Sequence, residues 1–158
     1  MATEEKELAG RPISGTVWLD TTTVDQKPFD ELIASLDAVF AFPEVRSIEW
    51  DQYTPYYLDG CICVFTVDGV GFRITGADDF RPRGNHLDLD DLRHDDNPPK
   101  YQGSRQFEVS RDLHTAITAC STALESGAYH LDLRKHFGDP ATVLATREGF
   151  AVEYYDPS

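Results

Sequence analysis

The stretch CICVFTVDGVGFRIT, residues 61–75, decides how the fold is read. Two apolar runs, rich in β-branched and aromatic residues, flank Asp68-Gly69. An Asp-Gly pair supplies the positive φ angles that a two-residue type I′ turn demands, so the stretch predicts a β-hairpin. Pairing Val67 with Val70 sets the register, with Phe65 opposite Phe72 and Cys63 opposite Ile74. Successive side chains on a strand point to opposite faces. Cys61, Cys63, Phe65, Val67, Val70, Phe72 and Ile74 therefore share one face. Ile62 and Val64 make the other face apolar as well, which predicts a central strand.

Upstream, residues 1–11 are polar and aperiodic and read as a flexible N-terminal arm. Ile13, Gly15, Val17 and Leu19 alternate with Ser14, Thr16 and Trp18, which predicts a first strand. Phe29, Leu32, Ile33, Leu36, Val39 and Phe40 recur at helical spacing behind Pro28, predicting an amphipathic helix over 28–41. Pro43 ends it. Residues 45–50 read as a strand with Ile48 and Trp50 on one face.

Downstream, residues 76–104 show no apolar period, and a loop of that length is uncommon inside a compact domain. It carries three prolines, and seven aspartates lie between Asp78 and Asp96. Within it LDLDDLRH has the make-up of one short helical turn. Phe107 and Val109 suit a short strand. Ser110 is a good N-cap, and Leu113, Ala116, Ile117, Cys120 and Leu124 predict a second helix over 111–126 with Gly127 as its stop. The segment 129–137 reads either as a strand, from Leu131 and Leu133, or as a short helix. ATVLATR-EG-FAVEYY reads as a second hairpin with Gly149 in the turn.

These elements predict one α+β domain over residues 12–158, with a long acidic loop at about 76–104. Its sheet is expected to be mainly antiparallel, with about five to seven strands. Two amphipathic helices should pack on one sheet face. At 158 residues the chain is long enough for one core without disulfide or metal. It starts without a secretory signal and has no run of about twenty apolar residues, so a cytoplasmic protein without membrane association is expected. Three cysteines, an odd number, argue against a disulfide framework. Cys61 and Cys63 read as small core residues.

The charge is the unusual quantity. There are 28 acidic against 14 basic residues, a net charge of −14. Such a chain repels phosphate backbones, which argues against direct nucleic-acid binding. It favours solubility, a partner protein with a basic surface, or a high-salt or GC-rich origin.

Asp88, Asp90, Asp91, Asp95 and Asp96 cluster with His86 and His94 in the long loop. The cluster reads as solvated charge, as a protein contact, or as a metal site in which His86, Asp88, Asp90 and His94 would be the ligands. It is not an EF-hand. Counting from Asp88, the fifth, sixth and twelfth positions are Leu92, Arg93 and Pro99. DGVGFRITG has glycines but opens no helix, so it is not a phosphate loop. Serine, histidine and aspartate all occur, yet no G-x-S-x-G elbow is present and the element order lacks a parallel βαβ unit.

Trp50, Tyr53, Tyr56 and Tyr57 form an aromatic segment. It reads as a cap on the sheet edge, as a protein contact or as a platform for stacking a small ligand. The pattern W-x-Q-Y-T-P-Y-x-x-D-G, here Trp50, Gln52, Tyr53, Thr54, Pro55, Tyr56, Asp59 and Gly60, precedes a C-x-C-V-F strand. It resembles a stretch of uncharacterised small proteins of bacteria and their phages, over about twenty of the 158 residues. The resemblance implies a phage or mobile-element setting and carries no activity or catalytic residue with it.

The expectation from sequence is a non-enzymatic, acidic interaction protein without a cofactor. Trp50, Tyr53, Tyr56, Tyr57 and the aspartates at 88, 90, 91, 95 and 96 form its contact surface. In a phage setting it would be a virion component or an antagonist of a host enzyme, in its sharpest form a DNA mimic. The alternatives are a metal-dependent hydrolase built on the His/Asp-rich loop and a small-ligand module at the aromatic segment.

Overall fold

Pro28, with φ fixed near the helical value but no backbone N–H to give, stands directly before α1 (Phe29–Phe40). Asp30 and Glu31 lie in its first turn, where the helix dipole favours negative charge. The computed structural model describes residues 24–55, 64–77, 86–94 and 106–154, plus the backbone of two short strands before them. Those strands are β1 (Glu7–Leu8) and β2 (Arg11–Pro12), paired antiparallel. After α1 come β3 (Val45–Tyr53), β4 (Thr66–Ile74), a 3-10 turn (Leu89–Asp91), β5 (Leu92–His94) and β6 (Phe107–Val109). The chain continues with α2 (Arg111–Glu125), α3 (His130–Phe137), β7 (Ala141–Thr146) and β8 (Gly149–Glu153).

The main sheet has the order β4-β3-β7-β8, with every neighbouring pair antiparallel. Four strands form it among the described residues, fewer than the five to seven expected. The strand predicted at 13–19 lies outside the described residues. The short β5 and β6 stand apart as a parallel pair, tied by an Arg93–Glu108 ion pair of 2.8 Å.

The remaining difference in strand count comes from Asp68-Gly69, which does not turn the chain. β4 runs straight through it, antiparallel to β3. Glu49 faces Gly71 and Asp51 faces Asp68, so Gly69 and Val70 together oppose Trp50 alone. This is a β-bulge, with Gly69 at φ +63°. A type I′ turn and a glycine bulge require the same positive φ, so the dipeptide by itself cannot distinguish them. The expected pairs Val67–Val70 and Phe65–Phe72 are replaced by Val67 opposite Gln52 and Phe72 opposite Ile48. The shared face does appear over the described part: Phe65, Val67, Val70, Phe72 and Ile74 are all buried. The bulge's extra residue keeps Val67 and Val70 in step although they are three apart. Cys61, Ile62 and Cys63 lie outside the described residues.

Both predicted helices form within one residue of expectation. α1 buries Leu32, Leu36 and Val39, and α2 buries Leu113, Ile117, Cys120 and Leu124. They pack against each other and against β3 and β4, and so share one face of the sheet. Ser110 caps α2 by accepting a hydrogen bond from Leu113 N at 3.1 Å, and Gly127 follows with φ +89°. The ambiguous segment 129–137 resolves as α3. Leu133 is buried and Leu131 exposed, as two residues on roughly opposite sides of a helix must be. The second hairpin is β7–β8, with Thr146 paired to Gly149 across Arg147-Glu148. Arg147 turns back to donate to the carbonyls of Phe40, Phe42 and Val45, closing the C-terminal end of α1.

Part of the long acidic loop is built into the fold. Leu87 and Phe72 exchange two backbone hydrogen bonds of 2.8 Å, extending the sheet edge beside β4. Leu87 and Leu92 enter the core. Asp88 caps the 3-10 turn: it accepts from Asp91 N, while the Asp91 carboxylate accepts from Asp88 N.

Candidate functional site

Trp50, expected in a contact surface, is instead core. β3 points Ile48, Trp50 and Gln52 to the helix side, and all three are 0% exposed. The Trp50 indole N–H donates to Gln52 Oε1 at 3.0 Å, and its ring meets Phe137 edge-on at 6.0 Å. Gln52 in turn donates to the carbonyls of Leu133 and Gly138 at 2.9 and 2.7 Å. Next to it, the backbone N–H and hydroxyl of Thr54 both donate to the Asp139 carboxylate, at 2.9 and 2.6 Å. The described half of the W-x-Q-Y-T-P-Y pattern thus latches the end of β3 to the α3–β7 connection. Tyr53, half-buried, closes β3 opposite Thr66. Tyr56, Tyr57, Asp95 and Asp96 lie outside the described residues.

The aspartates of the loop serve two tasks, and Asp88 has a part in both. Asp91 is turned into the cap described above. Asp88 and Asp90 border an open pocket of about 360 Å³, together with Asp68, Gly69 and Val70 of the β4 bulge and Ser121, Thr122 and Glu125 of α2. No Lys or Arg lines it among the described residues. Burial pushes the Glu125 carboxyl above the usual carboxylate range, and the neighbouring Asp68 charge pushes it the same way. Ser121 is 6% exposed and its hydroxyl has no hydrogen-bond partner among the described residues. Asp68, Ser121 and Glu125 escaped the sequence reading. They come from a strand and a helix remote from the loop in sequence. In the sequence Asp68 reads as part of a turn.

The histidines go to separate places. His86 lies on the sheet face opposite the helices. Its Nδ1 is 2.8 Å from Glu49 Oε2 and its Nε2 is 3.1 Å from Ser47 Oγ. Burial lowers its pKa from the ordinary value; Glu49 opposes that effect and Arg73 adds to it. His94 meets His114 edge-on, with ring centroids 5.1 Å apart. The His114 pKa is lowered by burial and then by His94, against a hydrogen bond that the imidazole donates to the Leu92 carbonyl. No three His, Cys, Asp or Glu side chains among the described residues form a set that could hold a metal ion. The candidate ligands His86, Asp88, Asp90 and His94 are therefore not brought together as one set: Asp88 and Asp90 border the pocket, while His86 faces Glu49 and His94 meets His114. Cys120 is buried in α2 with its thiol pushed up to about 12, chiefly by burial, which leaves it an inert core group. No helix among the described residues is long and apolar enough to cross a membrane. No known family model, curated protein or solved structure matches the chain.

Proposed function

We propose that the chain is a docking protein for a positively charged segment of another protein. In this reading the pocket between the β4 bulge, the 3-10 turn and α2 receives a lysine or arginine side chain. One observation carries it: Asp68 of β4, Asp88 and Asp90 of the loop and Glu125 of α2 border a single concavity of about 360 Å³, where the Asp68 charge adds to the burial that pushes the Glu125 carboxyl upward. A cation entering there relieves that repulsion, and the net charge of −14 would draw a basic partner in from a distance. A concave cluster suits one inserted cation better than the regular rows of a DNA mimic. In a phage or mobile-element setting, the role that fits is antagonist of a host protein with a basic surface, or a virion component that seats on one.

Titration of the labelled protein with a lysine/arginine-rich decapeptide tests the reading by NMR. Shifts concentrated at residues 68–70 and 121–125, weakened by salt and by the pair Asp68→Asn and Glu125→Gln, are expected. Shifts spread evenly over the acidic surface, or binding untouched by that pair, would overturn it.

A further inference from the structure

Ser47 and Glu49 are two apart on β3 and so project from the same face of the sheet. The His86 imidazole bridges them, with Nδ1 against the carboxylate at 2.8 Å and Nε2 against the hydroxyl at 3.1 Å. A neutral imidazole that donates from Nδ1 to Glu49 leaves the Nε2 lone pair to accept the Ser47 proton. This is the hydrogen-bond order of a serine nucleophile, its base and the carboxylate that orients the base.

Two features hold the arrangement in place. The residue under the imidazole is Gly71, where any Cβ would lie 2.7 Å from His86 Cβ. The paired backbone hydrogen bonds between Leu87 and Phe72 then fix the segment that carries His86. A further charged group faces the site. Arg73 stands opposite Ser47 in the β3–β4 register, and its Nε is buried with no hydrogen-bond partner among the described residues. A buried donor without an acceptor is costly, and one beside a nucleophile is placed to meet a developing negative charge.

We propose that Ser47, His86 and Glu49 form a nucleophilic serine site for small carboxylic esters, with Arg73 as the oxyanion donor. Ser47 Oγ bonds to the ester carbonyl carbon and passes its proton to His86 Nε2. The carbon–alkoxide bond breaks, and His86 returns that proton to the departing alcohol. Water then attacks the acyl-serine, again giving its proton to His86. The acyl–Oγ bond breaks, and Ser47 recovers the proton as the carboxylic acid leaves. Ser47 is only 6% exposed, whereas the side chains of His86 and Glu49 are 23% and 35% exposed. Access is therefore past the imidazole and narrow, which selects short acyl groups such as acetyl. The site shares no residue with the acidic pocket, and neither proposal depends on the other.

The test is labelling with a small fluorophosphonate, read by intact mass and peptide mapping, beside p-nitrophenyl acetate hydrolysis. A single adduct on Ser47 is expected, with labelling that rises as pH carries His86 from charged to neutral between the fields of Glu49 and Arg73. Ser47→Ala should abolish the adduct, and His86→Gln should slow it at least about a hundredfold. Glu49→Gln should slow labelling and shift its pH profile while the thermal midpoint is monitored in parallel. Absence of any Ser47 adduct between about pH 5 and pH 9 in folded wild type would overturn the proposal. So would ester hydrolysis undiminished in Ser47→Ala. A merely structural cluster would move the thermal midpoint and leave the wild type unlabelled.

Discussion

Gln52 is uncharged and reaches no solvent, yet β3, α3 and the connection before β7 meet on its amide. Gln52→Leu keeps the volume, strands the Trp50 indole N–H in the core and takes a donor from the Leu133 and Gly138 carbonyls. Each unsatisfied group costs about 1–3 kcal/mol, so a loss of about 3 kcal/mol or more is expected, read from urea midpoints followed by tryptophan fluorescence. Glu125 predicts the opposite sign. Its folded pKa lies above the ordinary 4.5, through burial first and Asp68 second. Its stabilising contribution is full below 4.5 and is lost as pH rises through the folded value. Glu125→Gln should therefore be more stable than wild type at neutral pH, the difference shrinking toward pH 4.5 in paired thermal melts. At this scale the sequence was half legible. The alternation Ile48-Trp50-Gln52 marks one face, but an aromatic-rich stretch interrupted by Pro55 looks the same whether its rings cover a core or meet a partner. Only the Phe137 ring that meets Trp50 and the Leu133 and Gly138 carbonyls that accept from Gln52 decide between them, and those lie far off in the chain. Likewise Ser47, His86 and Glu49 carry no joint signal. The clue was Gly71, a glycine inside a strand, which usually marks a close backbone or side-chain approach.

The elements themselves were readable wherever their determinants are local. α1 and α2 follow from one apolar stripe each, and Ser110 and Gly127 bound α2 through hydrogen bonding and a positive φ that need no distant partner. Asp68-Gly69 shows where this fails, because what runs beside a strand is not written in it. The two glycines of β4 separate the causes experimentally. Gly69 has φ +63° and the nearest atom to an added Cβ is 3.5 Å away, so its demand is conformational. Gly69→Ala should cost about 1–2 kcal/mol, the strain of a left-handed alanine. Gly71 has no such φ, and its demand is space: a methyl group there meets His86 Cβ at 2.7 Å. Gly71→Ala should displace the 86–87 segment, visible as loss of amide-exchange protection at Leu87 and a changed His86 ring shift. Unchanged protection at Leu87 would mean that His86 does not rest on β4.

Across the whole molecule, acidity dominates. With a net charge of −14 the folded state repels itself. Raising ionic strength from about 10 mM to about 150 mM shortens the screening length from roughly 30 Å to roughly 8 Å. The thermal midpoint should rise over that range, measured by calorimetry, and a flat or falling midpoint would place the charges too far apart to matter. The antiparallel α+β class was legible from adjacent β segments and two striped helices. The strand order was not, since the centre of the sheet joins β3 to β7, with Ile48 beside Ala145. That join has a consequence for how the chain is made. While the ribosome is still delivering α2, β3 is already outside the exit tunnel with β7 unsynthesised, so Ile48 and Trp50 lack the strand and the helix that later enclose them. Until β7 follows, the nascent chain carries this apolar strip only partly covered, a natural point for a chaperone to hold it.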